Sequence, residues 1–157
     1  VPGQQAGRHL RVDPASGEDP RRARKREIAE AVVARSEWLP QDEQALVRAV
    51  FRNGQSAAQV ARLMGVEPRR VRRRVHRIVK RVMAPTFVLV VQQREQWSGT
   101  RRRVAEACFV RGLSIREASI ELGVSLHTVR IHCGAVRHML ELRTAIAGQL
   151  QNQRRAS

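Results

Sequence analysis

Between Arg69 and Arg81 the chain carries eight Lys or Arg, and no acidic residue occurs from Pro68 to Arg94. A helix face that merely solubilises mixes signs to gain i, i+4 pairs, whereas so dense a cationic run repels itself unless an anion lies against it. The chemistry on offer is phosphate binding and, because a guanidinium can pair bidentately with guanine, the reading of base edges. At helical spacing Val71, Val75, Ile78 and Val82 share the inward face, with Arg69, Arg73, His76 and Lys80 nearly opposite and Arg70, Arg72, Arg77 and Arg81 flanking them. A second outward surface is of different character: His127, Thr128, Arg130, Ile131, His132, Gly134 and His138. Thr and His can hydrogen-bond base edges, and an exposed Ile can meet a thymine methyl. Gly134 costs a helix about 1 kcal/mol relative to Ala, which close backbone approach to a phosphate or another helix would explain.

The whole composition agrees with a polyanionic partner. The 157 residues hold 30 Lys+Arg against 14 Asp+Glu, a net charge of +16. Membrane-surface binding would call for aromatic anchors, and aromatics are only 3%. The longest apolar stretch, Phe87 to Val91, is too short to span a bilayer. The opening Val1-Pro2-Gly3 has no charged segment followed by an apolar one, so no secretory signal is expected and a cytoplasmic, nucleoid-associated location is. The absent initiator Met suggests a trimmed chain or part of a longer one. Cys108 and Cys133 read as small core hydrophobes, and His127, His132 and His138 are spaced so as to spread around a helix, which leaves no metal face. With no phosphate-binding Gly loop and no paired carboxylates, neither catalysis nor a cofactor is assigned.

An internal repeat supplies the elements that must hold these surfaces. Gly54 to Val66 aligns without a gap on Gly112 to Val124, an offset of 58 (112 − 54). The same offset maps Leu46, Val50, Phe51, Val71, Val75, Ile78 and Val82 onto Val104, Cys108, Phe109, Val129, Cys133, Val136 and Leu140. Trp38 and Trp97 pair at 59, which implies an inserted residue near Gly99, and both Trp read as core anchors. Helices are expected over 41–52, 56–64 and 67–83, then over 101–111, 115–122 and 126–143. Ser56 with Gln59 and Ser114 with Glu117 have capping-box spacing, Pro68 suits a first helical position, and Ser125 suits a cap. Gly65 and Gly123 fall where one helix stops and the next leaves steeply, with the small Ala61 and Ser119 before them permitting close packing.

The expected fold is therefore all-α: two tandem helix-turn-helix units of three to four helices, with a disordered basic arm in front. The arm covers 1–19, the first unit 20–83, a connecting helix or linker 84–97, the second unit 98–147 and a disordered tail 148–157. The run Arg21-Arg22-Ala23-Arg24-Lys25-Arg26 is either a groove-seeking arm or the solvated start of a helix. The segment from Pro85 to Gln96 is too apolar for a tether and reads as a short helix matching one over 22–36, which orients the units or offers a dimer surface.

Leu39-Pro40-x-x-Glu43, Gly54-x-Ser56, Val60-Ala61-x-x-Met64-Gly65-Val66 and Val71-Arg72-x-x-Val75 resemble the fourth conserved region of bacterial sigma factors, which recognises a promoter element. The second copy, Gly112-Leu113-Ser114-x-x-Glu117-Ala118-x-x-x-Leu122-Gly123-Val124-Ser125-x-x-Thr128-Val129-Arg130, is similar to that region and to the DNA-binding domain of quorum-sensing and response-regulator activators. The resemblance implies base or phosphate contacts from Arg69, Arg72, Arg73, His127, Arg130 and Ile131, and places Ser56 and Ser114 near backbone phosphates. Combined with the helical wheels, the expected DNA-binding set also includes Arg70, His76, Arg77, Lys80, Arg116, Ser125, Thr128 and His132. With no Tyr, three Phe and two Trp, the chain lacks the aromatic-rich promoter-melting segment of a complete sigma factor. The reading is a transcription regulator on double-stranded DNA, with RNA polymerase, a second copy or a partner regulator as further partners. The alternatives are a sigma-like module carried by polymerase and an accessory protein of mobile elements or DNA architecture.

Overall fold

Helix boundaries in this chain follow from residues that satisfy the orphan amides and carbonyls of each end. The computed structural model describes residues 19–156; the expected arm over 1–19 lies, apart from Asp19, outside them. Eight α-helices succeed one another with no strand among the described residues: α1 (Pro20–Arg35), α2 (Gln41–Val47), α3 (Ala57–Met64), α4 (Pro68–Val82), α5 (Pro85–Gln93), α6 (Gly99–Ala105), α7 (Ile115–Leu122) and α8 (Leu126–Ala156). Asp19 accepts the Arg21 amide at 3.0 Å, and Pro20 opens α1 with the fixed φ a first position favours. The basic run 21–26 is thus the solvated beginning of a helix.

The 58-residue offset governs the backbone as well as the sequence. Each of α2 and α6 runs into a π turn, Arg48–Arg52 and Glu106–Val110, and then reaches its capping serine. Ser56 and Ser114 both accept the amide three residues on at 3.2 Å, while Gln59 and Glu117 reach back to the cap amides at 2.7 Å. Gly65 and Gly123 close α3 and α7 at φ 65 and 64, the left-handed conformation that only glycine adopts without strain. In the second turn Ser119 adds a side-chain bond, its Oγ donating to the Val124 carbonyl at 2.6 Å.

Three expectations need correction. The 3-10 turns that precede α2 and α6, Ser36–Trp38 and Arg94–Gln96, keep the 58 offset, so no residue is inserted near Gly99. Leu39, not Trp38, is therefore the counterpart of Trp97, and Leu39 and Trp97 are the residues that meet the core. Trp38 is 38% exposed and lies beneath the Arg94 guanidinium, 4.7 Å from its ring centroid, a cation–π contact rather than a core anchor. Finally, the segment expected to be a disordered tail over 148–157 is helical through Ala156, as α8 continues without a break from Leu126. Ala, Gln, Leu and Arg propagate a helix readily once it is nucleated, even where no apolar face holds it. Leu142, Ile146 and Leu150 remain exposed along this extension.

The core joins the two copies. Val32, Leu39, Leu46, Val60, Val71, Ile78 and Val82 of the first copy cluster with Phe87, Leu89 and Val90 of α5 and with Ala105, Val110 and Val136 of the second. A smaller cluster of Val104, Ala107, Ala118, Val129 and Cys133 underlies the second turn. The segment between the copies is thus a packed helix, joined to α4 through Met83 and Ala84 alone.

Candidate nucleic-acid interface

The last helix of the first copy, α4, is amphipathic, and its burial sets what faces out. Val71, Ile78 and Val82 are buried and Val75 is half-buried, while Arg69, Arg70, Arg72, Arg73, His76, Arg77 and Lys80 are all exposed on the other sides of α4. Seven expected site residues therefore form one cationic surface. Arg74 and Arg81 behave differently, because they turn toward the first turn of α2 and pair with Asp42 and Glu43. Those acids sit at a helix N-terminus, where the backbone dipole also favours negative charge. The Arg74 guanidinium, through its hydrogen bond, holds the Asp42 carboxyl below the usual aspartate range. Self-repulsion along α4 is relieved in part by these two pairs.

At the start of α3 and α7, Ser56 and Ser114 are exposed. Each hydroxyl oxygen already accepts a backbone amide, so the O–H proton stays available to a phosphate oxygen. Arg116, in the first turn of α7, is also exposed.

Along α8, Val129, Cys133 and Val136 are buried, and His127, Arg130, Ile131, Gly134 and His138 are exposed. His138 approaches Glu141 at 3.5 Å. Ser125 caps the helix by accepting the Thr128 amide at 3.0 Å, and its hydroxyl meets the Thr128 hydroxyl at 2.9 Å. Thr128 is half-buried, so much of its polar capacity is used locally. His132 is half-buried too, with a buried Nδ1 that has no hydrogen-bond partner among the described residues. The outward surface of this helix thus centres on His127, Arg130 and Ile131.

Elsewhere in the second copy three arginines are tied to acids. Arg102 binds Glu95 with two bonds of 2.7 and 2.9 Å and Glu106 at 3.1 Å, Arg94 binds Glu106 at 3.1 Å, and Arg111 grips Glu121 with two. The Arg103 guanidinium donates to the Leu122 carbonyl at 3.3 Å, at the C-terminal end of α7.

Sequence reasoning missed the seam between the copies. A cleft of about 480 Å³ is lined by Arg74, Arg77, Lys80 and Arg81 of α4 together with Arg111 and Gly112. Gly112 has φ +74, and a Cβ there would fall 2.2 Å from the Arg81 guanidinium, so α4 of one copy packs on the loop before α7 of the other. The Arg35 guanidinium donates to the Val82 carbonyl at 2.9 Å beside the same joint. The lone sequence sign of this contact is a basic residue at Arg111 where the first copy has Asn53.

Residues 27–82 match the family model of sigma-70 region 4, a helix-turn-helix DNA-binding domain. The match begins within α1 and ends at the last residue of α4, so it covers the first copy and its cationic surface. No curated protein and no solved structure matches the chain. No helix among the described residues is long and apolar enough to cross a membrane.

Proposed function

We propose that the protein is a sequence-specific transcription regulator that lays α4 and the N-terminal half of α8 into successive major-groove faces of double-stranded DNA. The observation that carries this reading is that two copies share an inward face and differ outward: exposed Arg crowd α4, and a mixed set of His127, Arg130 and Ile131 occupies α8. The first unit clamps phosphates, and the second supplies more of the base discrimination. Ser56, Ser114 and Arg116 hold backbone phosphates at the entrances of α3 and α7, while Ser125, Thr128 and His132 shape and flank the second reading surface. Units spanning 20–83 and 98–147, joined by the segment 84–97, act as one body on the nucleoid.

Selection from random duplexes at two salt concentrations tests the reading. The expected product is a bipartite motif whose halves lie about 10 base pairs apart, with affinity falling steeply as salt rises. A footprint confined to one half-site would refute it. The match of the first copy to a sigma region favours a second reading, in which contact with RNA polymerase is primary and DNA contact assists. Co-purification with polymerase, without autonomous binding to any selected duplex at moderate salt, would establish that reading instead. A homodimer would appear in the same selection as a motif doubled about a two-fold axis, and a partner regulator as a change in the motif when it is added.

A further inference from the structure

Cys108 and Cys133 pack in the small cluster beneath the second reading surface. Cys133 lies on the inward side of α8 and is 2% exposed, whereas Cys108 stands in the π turn Glu106–Val110 and is partly open to solvent. Their counterparts at the 58 offset are Val50 and Val75, which line a common pocket in the first copy. These paired positions therefore call for two small apolar side chains, and the second copy alone fills both with sulfur. Apolar packing accounts for a small side chain at each position, and the two sulfurs add to it a paired-thiol chemistry that the valines next door lack. The Cys108 thiol shares its proton with the Cys133 sulfur, which holds Cys133 down at about 7, while the same bond and burial push Cys108 up. Arg137, one turn beyond Cys133, adds positive charge that favours a thiolate in the pair.

We propose that Cys108 and Cys133 are an oxidisable dithiol whose disulfide ties the π turn Glu106–Val110 to α8 and so regulates the second reading surface. The oxidant is hydrogen peroxide. Within the pair the shared proton passes to the Cys133 sulfur, and Cys108, the member open to solvent, attacks the peroxide as the thiolate and becomes a sulfenic acid as the hydroxide released takes up a proton and leaves as water. The Cys133 sulfur then displaces a second water from it and the S–S bond forms, two thiols giving up two protons and two electrons to one peroxide. Drawing the sulfurs together shifts the inward side of α8 one turn from Arg130, the exposed cation of that surface.

The DNA consequence rests on the function proposed above; the dithiol does not. Hydrogen peroxide is added to the purified protein, its intact mass and alkylatable thiols are measured, and its affinity for a labelled duplex carrying the selected motif is read before and after reduction. The expected result is a monomer lighter by two hydrogens with no free thiol, and binding about tenfold weaker, the value of one misplaced base contact. Reduction restores both. Cys108→Val and Cys133→Val, which install the first copy's residues, keep the binding of the reduced protein and lose the response to peroxide. Thiols that stay alkylatable, or a disulfide that joins two chains, would overturn the dithiol. A disulfide formed without loss of affinity, or a loss that both valine variants share, would overturn the regulation. If no duplex is bound at all, the DNA reading fails, the regulation with it, while the mass and thiol count still decide the dithiol.

Discussion

The two copies use one frame for two kinds of surface. Their capped helices, π turns and left-handed glycines coincide at a constant offset, because each must satisfy the same backbone groups and fill the same inward face. Outward they have parted. Residues 20–83 carry 17 Lys or Arg against six acids, and residues 84–157 carry 11 against five. In the first copy most of the cations of α4 stand exposed; in the second, Arg94, Arg102 and Arg111 are spent on Glu95, Glu106 and Glu121. The difference teaches that after a duplication packing constrains the core cooperatively, while surface charge diverges residue by residue.

The comparison would break first if the copies proved to be independent bodies. Phe87 is 1% exposed within the cluster that draws on both copies. Phe87→Ala should cost about 3–5 kcal/mol and lower the urea midpoint of a single transition seen by probes in either half. Two separated transitions in the wild-type protein would show two cores where one is described.

The proposed division of labour is sharpened by a matched pair of variants. Arg72→Ala or Arg73→Ala should weaken binding to all duplexes alike and reduce the salt slope by about 1. Arg130→Ala should cost about 1–3 kcal/mol on the preferred duplex and relax choice at one base pair. Titrations against the selected and a scrambled duplex separate the two, and an exchange of behaviour between them would reverse the assignment.

The smallest difference concerns the capping boxes. Gln59 is neutral at every pH, but the Ser114 amide holds the Glu117 carboxyl below its ordinary 4.5. A depressed carboxyl contributes stability above its unfolded pKa and loses it as pH falls through the folded value. Acidification below 4.5 should therefore lower amide-exchange protection, measured against the intrinsic rate, at the start of α7 before the start of α3. Glu117→Gln should remove the difference; equal exchange in the wild-type protein would refute it.

Much of this was legible in sequence because its causes are local. Ser56, Gly65, Pro68 and Ser114 act within a turn of themselves, and the period of Val71, Val75, Ile78 and Val82 marks its own face. What escaped depends on distance or on propagation. The pairing of Arg74 and Arg81 with Asp42 and Glu43 joins residues 32 and 38 positions apart. The two Trp were equated by residue type, although their places in the fold differ by one position. The polar stretch after residue 143 stays helical because α8 is already running when it reaches it. Of the expected site, the cations of α4 face outward as their spacing implies, whereas Thr128 and His132 are drawn inward by a cap and by packing that spacing alone does not describe.

The joint at Met83 and Ala84 has a consequence for how such a protein meets its sites. Two readers on a loose tether accept half-sites at many separations, because the tether absorbs the mismatch. Two readers fused through a packed helix and a two-residue joint have no slack to give. The function proposed above makes such a molecule a gauge: it would respond to the interval between two marks on the duplex as much as to the marks themselves.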